Sequence, residues 1–272
     1  MAAPSRPIRS AVSSLRAQAF LCIAVVLFAA SATITVVWCA SMAAMGGMKM
    51  PGGWTMSMTW MRMPGQSWSA AAAAFIGMWT VMMVAMMLPS LTPMLMRYRD
   101  ALGSAGESHA SRLAALVGVA YFAVWTLFGV AAYMVGSMLA VLEMRWPALV
   151  RAVPLAAGVV VVIAGALQFS RWKARYLACC RDLPMHGRVL LPSATAAWRR
   201  GLRFGLHCIH CCVGLTTVLL IIGVMDLRAM VWVMAAITAE RLAPNGERVA
   251  KIIGVAVVMS GLFMISRAIT TV

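Results

Sequence analysis

The sequence predicts an all-α protein, a polytopic bundle of about seven transmembrane helices, with six as the alternative count. Three observations predict it. Of 272 residues, 63% are hydrophobic and only 11% are charged, against about 25% charge in an ordinary soluble domain. The apolar residues fall in long runs, and about 20 of them in succession cross the hydrocarbon core as a helix. Alternating segments of about ten residues, the mark of a membrane barrel, are absent. A single transmembrane domain over 18–272 follows, behind a short N-terminal segment, 1–17.

Seven segments carry the bundle. The first, 18–40, is an unbroken apolar run behind Arg6, Arg9 and Arg16. Its basic start and apolar core also fit a signal peptide, but the length of the run favours an uncleaved helix. A Met-rich connection, 41–68, leads to the second segment, 69–95. This segment and the third, 112–141, exceed a minimal span and so tilt or project. The fourth, 149–170, and the fifth, 204–225, flank a basic connection, 171–203. Only the Asp226-Leu227-Arg228 corner separates the fifth from the short sixth, 227–242, and the choice between six and seven spans rests there. The last segment is 249–270.

Basic residues set the orientation. Arg6, Arg9 and Arg16 precede the first span, Arg97, Arg99 and Arg112 follow the second, and Arg241, Arg248 and Lys251 precede the last. The 171–203 connection holds Arg171, Lys173, Arg175, Arg181, Arg188, Arg199, Arg200 and Arg203. With seven spans these regions share one side and hold most of the 23 basic residues. The positive-inside rule makes that side the cytoplasm. The expectation is a multi-pass protein of the inner (cell) membrane, with its N-terminus inside. Basic loops facing anionic lipid account for the net charge of +16. No basic stripe interleaved with aromatics points to nucleic acid.

Three groups of soft donors stand out. The first is the outer connection, with Met42, Met45, Met48, Met50, Met56, Met58, Met61 and Met63 broken by glycine and proline. Thioethers select soft ions such as Cu(I); the alternative is a loop lying on the membrane surface, anchored by Trp54, Trp60 and Trp68. The second group is a stripe on the second span. At about 100° per residue, Met78, Met82 and Met86 share one face and Met83 and Met87 a neighbouring one. Packing is the other role open to these methionines. The third group is His207-Cys208-Ile209-His210-Cys211-Cys212 in the fifth span, with Cys179-Cys180 in the preceding connection, which also holds His186. On a helix, His207, Cys208, Cys211 and Cys212 cover an arc of about 140°, a face that presents several N/S ligands to one ion. Cytoplasmic thiols stay reduced, so Zn(II) or Cu(I) ligation is the chemistry expected of them. Cys22 and Cys39, inside the first span, read as packing residues.

A redox reading competes. Cys208 and Cys211 form a Cys-x-x-Cys, and a helix N-terminus activates such a thiol, but no thioredoxin-like context accompanies it. Among the remaining polar residues in or beside spans, Gln168, Asp226, Arg228 and Glu240 are functional candidates. Glu240 has Arg241 or a neighbouring connection as its expected partner. No catalytic Ser-His-Asp set, phosphate-binding glycine loop or paired carboxylates are found.

Over residues 70–245 the sequence resembles the bacterial family of predicted metal-binding integral membrane proteins. The resemblance is carried by Trp79 with Met82, Ala85-Met86-Met87-Leu88-Pro89, Tyr121-Phe122-Ala123-Val124-Trp125 with Phe128, and Ala164-Gly165-Ala166-Leu167-Gln168 with Lys173, Leu177, Cys180-Arg181 and Pro184. Gly205 to Cys212, Gly223-Val224-Met225 and Glu240 complete it. The family pattern has Cys where this chain has Tyr176, Gly where it has His210, and Trp where it has Val213. Cys179 is the candidate substitute for the missing thiol. The resemblance implies metal binding, with no activity attached.

The expected function is therefore copper handling, by transport or by delivery to a cuproenzyme. Cu(I) is the favoured metal and Zn(II) the second choice. The expected partners are membrane lipid, the metal ion, and other membrane or periplasmic metalloprotein subunits. The alternatives are a metal- or thiol-dependent membrane oxidoreductase and a non-catalytic helical partner in a larger complex.

Overall fold

The computed structural model describes residues 6–44, 46–49, 55–56, 58–62, 65–102, 107–181 and 192–270. The described chain is helical: α1 (Arg6–Ala44), α2 (Trp68–Ala101), α3 (Glu107–Arg145), α4 (Pro147–Leu167), α5 (Arg171–Arg181), α6 (Ala194–Ile222), α7 (Leu227–Leu242) and α8 (Gly246–Thr270). Between α1 and α2 the backbone forms two short strands of two residues each, Met48–Lys49 paired antiparallel with Thr55–Met56, and a single 3₁₀ turn, Met58–Trp60. Six of the helices, all but α5 and α7, are long and apolar enough to cross a membrane.

Local chemistry marks the helix ends. The Ser67 hydroxyl accepts the Ala70 N–H at 3.2 Å and starts α2, and Ser193 does the same for Ala196 at the start of α6. Gly223 ends α6 at φ +134°, a conformation that side chains disfavour. Three residues later the Asp226 carboxylate accepts the N–H groups of Arg228 and Ala229 at 2.8 and 3.0 Å and opens α7. Each is an ordinary N-cap, satisfying donors that the helix itself cannot.

The basic connection differs from a plain loop. It contains α5, and α6 begins at Ala194, two to three turns before the apolar run. Hydropathy misses these turns because they carry Arg199, Arg200 and Arg203. The Ser193 cap and the Ala194-Thr195-Ala196-Ala197 stretch favour helix regardless of charge. In α5, Lys173 and Leu177 are buried while Trp172 is exposed, so this short helix packs on one face.

Polarity runs from inside to outside. Ile23 and Val26 on α1, Leu127 and Met138 on α3, and Ile252 and Phe263 on α8 are all exposed, whereas Gln168, Lys173, Thr216, Glu240 and Arg241 are buried. Apolar side chains facing outward suit lipid, and inward-facing ionisable groups are what membrane interiors tolerate. One core joins the Met face of α2, Tyr121 and Trp125 of α3, the cysteines of α6, and Val233 and Ile237 of α7. Trp79 ties α2 to α3 there, its indole N–H donating to the Trp125 carbonyl at 2.9 Å.

Small residues set the helix spacing. A Cβ at Gly165 on α4 meets the Val258 backbone N at 2.8 Å and the Gly254 carbonyl at 3.1 Å. A Cβ at Gly261 on α8 meets the Val162 N at 2.8 Å and the Gly158 carbonyl at 3.0 Å. The two helices therefore touch backbone to backbone, as membrane helices do where small residues line the contact.

Candidate metal centre

The site begins with a close approach. On α6, a Cβ at Gly205 meets Val124 Cβ at 2.7 Å and the Tyr121 carbonyl at 3.1 Å. With hydrogen there instead, α6 lies directly against α3. Cys208, one turn further on, then receives the Tyr121 hydroxyl, which donates to Sγ at 2.8 Å.

Three thiols of α6, Cys208, Cys211 and Cys212, are buried. Cys208 Sγ and Cys212 Sγ are 3.8 Å apart. Cys211 is hydrogen-bonded to Cys212 and, across to α5, to Cys180. The order is a chain, Cys208–Cys212–Cys211–Cys180, rather than a cage. Among the described residues no group of three His, Cys, Asp or Glu side chains stands ready to hold a metal ion. The spacing of the Cys208–Cys212 pair does fit one: two sulfurs each about 2.3 Å from a common ion stand roughly 3.8–4.0 Å apart at tetrahedral or trigonal angles. The hydrogen bond to Cys211 and burial push the Cys180 thiol well above its ordinary range, so Cys180 is held as the donor.

Charged side chains frame the thiols. Arg241 of α7 donates to Ser90 Oγ at 2.9 Å, and to the Tyr121 hydroxyl and Cys208 Sγ at 3.5 Å each. Lys173 of α5 donates to the Cys211 carbonyl at 2.6 Å and to Glu240 Oε2 at 2.7 Å. Burial lowers the Lys173 pKa, but negative charge at Cys211 and Glu240 outweighs it and holds the ammonium above its ordinary range. Five helices, α2, α3, α5, α6 and α7, thus contribute to one polar centre inside an apolar bundle.

The remaining expected donors distribute as follows. Met78, Met82, Met83, Met86 and Met87 are all buried and belong to the same core as the three thiols. His207 and His210 turn to α5. Nδ1 of each donates to a carbonyl one turn back, Arg203 at 2.6 Å and Leu206 at 2.7 Å. Both rings pack on Tyr176, and His210 also on Trp172. Neither imidazole bonds a thiol. Cys179 is exposed. His186, Met45, Met50 and Met63 lie outside the described residues.

Residues 76–264 match the family described as PpoB2, copper chaperone. The chain belongs to this copper chaperone family. No curated protein and no solved structure matches it. The matched stretch takes in the Met face of α2, Tyr121, Lys173, the thiols of Cys180, Cys208, Cys211 and Cys212, Glu240 and Arg241, and leaves out α1. A copper-handling role fits this membership.

In this copper chaperone family member, the sequence left the frame of the thiols open. Of the two partners expected for Glu240, Arg241 or a neighbouring connection, the structure shows the second: Glu240 pairs with Lys173 of the basic connection. Arg241 turns instead to Ser90, Tyr121 and Cys208. The available signal was an adjacent Glu-Arg pair inside an apolar segment, because each buried charge needs its own partner. The Cys-x-x-Cys spacing also misleads: the thiol that hydrogen-bonds Cys208 is Cys212, one turn on, rather than Cys211.

Proposed function

We propose that this protein is a membrane-embedded Cu(I) delivery factor, which carries its cargo on Cys208, Cys212, Cys211 and Cys180 and passes it to a cuproenzyme in or outside the membrane. The observation that carries this reading is the series of thiols itself: Cys208, Cys212 and Cys211 buried, with Cys208 and Cys212 3.8 Å apart, and half-buried Cys180 beside Cys211. Soft thiolates select Cu(I), and neighbouring sulfur pairs give an ion successive positions.

Charge supports the assignment. Lys173, Arg241 and Glu240 together carry a formal charge of +1 in the interior. A Cu(I) ion held by two thiolates carries −1. Loading therefore cancels a buried charge that is otherwise costly. Zn(II) on the same two thiolates carries no charge and leaves the imbalance.

The orientation proposed from the basic residues places α5 and the start of α6 at the cytoplasmic side and the Met-rich connection outside. Met78, Met82 and Met86 then occupy successive depths of α2, about 6 Å apart at 1.5 Å per residue. Neutral thioethers, weaker ligands than thiolates, suit the passage of the ion between the two faces. The family's description as copper chaperones favours delivery over bulk flux.

The test is copper content after anaerobic purification. Wild type should carry copper, and the variant with Cys208, Cys211 and Cys212 all changed to Ser should lose most of it while remaining inserted. Met78→Leu/Met82→Leu/Met86→Leu, a volume-conserving change costing under about 1.5 kcal/mol per site, should keep the thiol copper but load more slowly. Unchanged copper in the triple-Ser protein overturns the assignment.

A further inference from the structure

A second polar site lies where two membrane helices end. The apolar run of α4 stops at Leu167, and that of α8 starts at Gly246. Between these ends and α5 lies a cavity of about 240 Å³, whose polar lining is Gln168, Ser170, Arg171, Lys173, Glu247 and Lys251. Gln168 is only 4% exposed, and neither its amide oxygen nor its amide nitrogen has a hydrogen-bonding partner in the protein. Native proteins leave few buried polar groups in that condition. We infer that this cavity binds the phosphodiester head group of an anionic membrane lipid, with Gln168, Arg171 and Lys251 as its ligands. The inference is independent of the copper reading.

The amide is held in place. Gly254 of α8 lies so close that a Cβ there meets Gln168 Cβ at 2.8 Å, and the Gln168 backbone N–H donates to the Gly165 carbonyl at 3.1 Å. The two ends of the amide need partners of opposite kind, an acceptor for the NH₂ and a donor for the oxygen. A phosphate oxygen meets the first need, and a head-group hydroxyl, as in phosphatidylglycerol, meets the second. Charge points the same way. Glu240 neutralises Lys173, and Glu247 pairs with Lys251 at 3.0 Å. Arg171 then leaves the lining with a formal charge of +1, which a monoanionic phosphodiester balances. The N-terminus of α5 opens on the same cavity. There Ser170 Oγ accepts the Lys173 backbone N–H at 3.1 Å, and the helix dipole favours an anion. Placement favours a lipid over a dissolved anion. Phe169 and Trp172 are exposed beside the cavity, and aromatic rings suit the boundary between membrane and water. Leu167 on α4 and Ile252 and Val255 on α8 are exposed apolar side chains that lead away from it, a surface for the acyl chains. The orientation proposed from the basic residues puts the cavity on the cytoplasmic side, where basic pockets between helices bind lipid phosphates.

The test is native mass spectrometry and thermal unfolding of the full-length protein, stripped of lipid in detergent. It is titrated with phosphatidylglycerol, phosphatidylcholine, glycerol 3-phosphate or inorganic phosphate. Wild type should hold one phosphatidylglycerol and unfold at a higher temperature with it, because the head group ties α5 to α4 and α8. Phosphatidylcholine, which is neutral overall and lacks the hydroxyl, should bind about tenfold more weakly. Arg171→Gln and Lys251→Gln, both at exposed positions, and Gln168→Leu should each weaken phosphatidylglycerol by about tenfold, the scale of one hydrogen bond to a charged group. If Gln168→Leu fails to fold, the two exposed variants carry the test. Equal binding of the two lipids by wild type, or wild-type affinity in both Arg171→Gln and Lys251→Gln, overturns the site. Glycerol 3-phosphate or inorganic phosphate that binds as tightly as the lipid and displaces it makes a soluble anion the occupant and overturns the lipid assignment.

Discussion

Lys173 holds α5 to both α6 and α7 through a single ammonium. Its partners are the Cys211 carbonyl and the Glu240 carboxylate, and both members of the ion pair are almost fully buried. Removing one member of a buried pair leaves an uncompensated charge, which costs about 3–5 kcal/mol, whereas removing both is often nearly neutral. Lys173→Met should therefore lower unfolding stability in detergent by about that amount, and Lys173→Met/Glu240→Leu should recover most of the loss. A double variant no more stable than the single one would show that Lys173 acts through the Cys211 carbonyl instead. At this scale the sequence was legible for donors and poorly legible for partners. Runs of cysteine announce themselves, but nothing in the spacing shows that Lys173 reaches Glu240, 67 residues away. Two of the three positions at which the chain departs from the pattern of the family it resembles also meet: Tyr176 stacks on His210 with ring centroids 4.8 Å apart and planes inclined by 15°. A thiol lost on α5 and an imidazole gained on α6 have become one aromatic contact, which is why His210 adds no ligand to the thiol chain.

At the scale of helices, the α4–α8 seam shows how glycine sets distance. Gly158 and Gly165 on α4 and Gly254 and Gly261 on α8 recur at intervals of seven, and each faces the other helix. Side chains inserted there force the helices apart. Gly165→Val and Gly261→Val should each destabilise by about 1–3 kcal/mol, the usual cost of overpacking. Gly77→Ala, with no atom within 4 Å of the new methyl group, should be neutral or stabilise α2 by up to about 1 kcal/mol. Thermal unfolding followed by circular dichroism in one detergent ranks the three. Equal behaviour of all three variants would remove the close-contact reading of the seam. Long apolar helices were readable because hydropathy measures what lipid selects. The α5 helix and the first turns of α6 were not, because they are charged and are held by caps and tertiary packing rather than by hydrophobic length.

For the molecule as a whole, the arrangement of charge follows from the solvent. Exposed aliphatic surface on α1, α3 and α8 surrounds a core that contains Lys173, Glu240 and Arg241. The orientation proposed from the basic residues has a direct check in Cys179, which is exposed on α5. A membrane-impermeant maleimide should label it only after cells are opened, and Cys179→Ser should abolish that band. Labelling in intact cells would reverse the direction proposed for copper. The class of protein was legible at this scale from composition alone. The convergence of five helices on one polar centre was not, since it depends on close approaches such as Gly205 against Tyr121.

The bond between Lys173 and Glu240 has a consequence for synthesis. A ribosome delivers α5 first, the thiols of α6 next, and Glu240 with Arg241 only near the end of the chain. A nascent copy that has just made Cys212 already has its sulfurs, yet it lacks both the carboxylate that anchors α5 and the guanidinium that sits against Cys208. Its thiols are present without α7 packed against them and without Arg241, whose charge the proposed copper reading sets against a loaded ion. On the proposed copper reading, completion of α7 is therefore the moment at which the place for cargo is whole, so the order of translation sets loading after the last of its frame has been made.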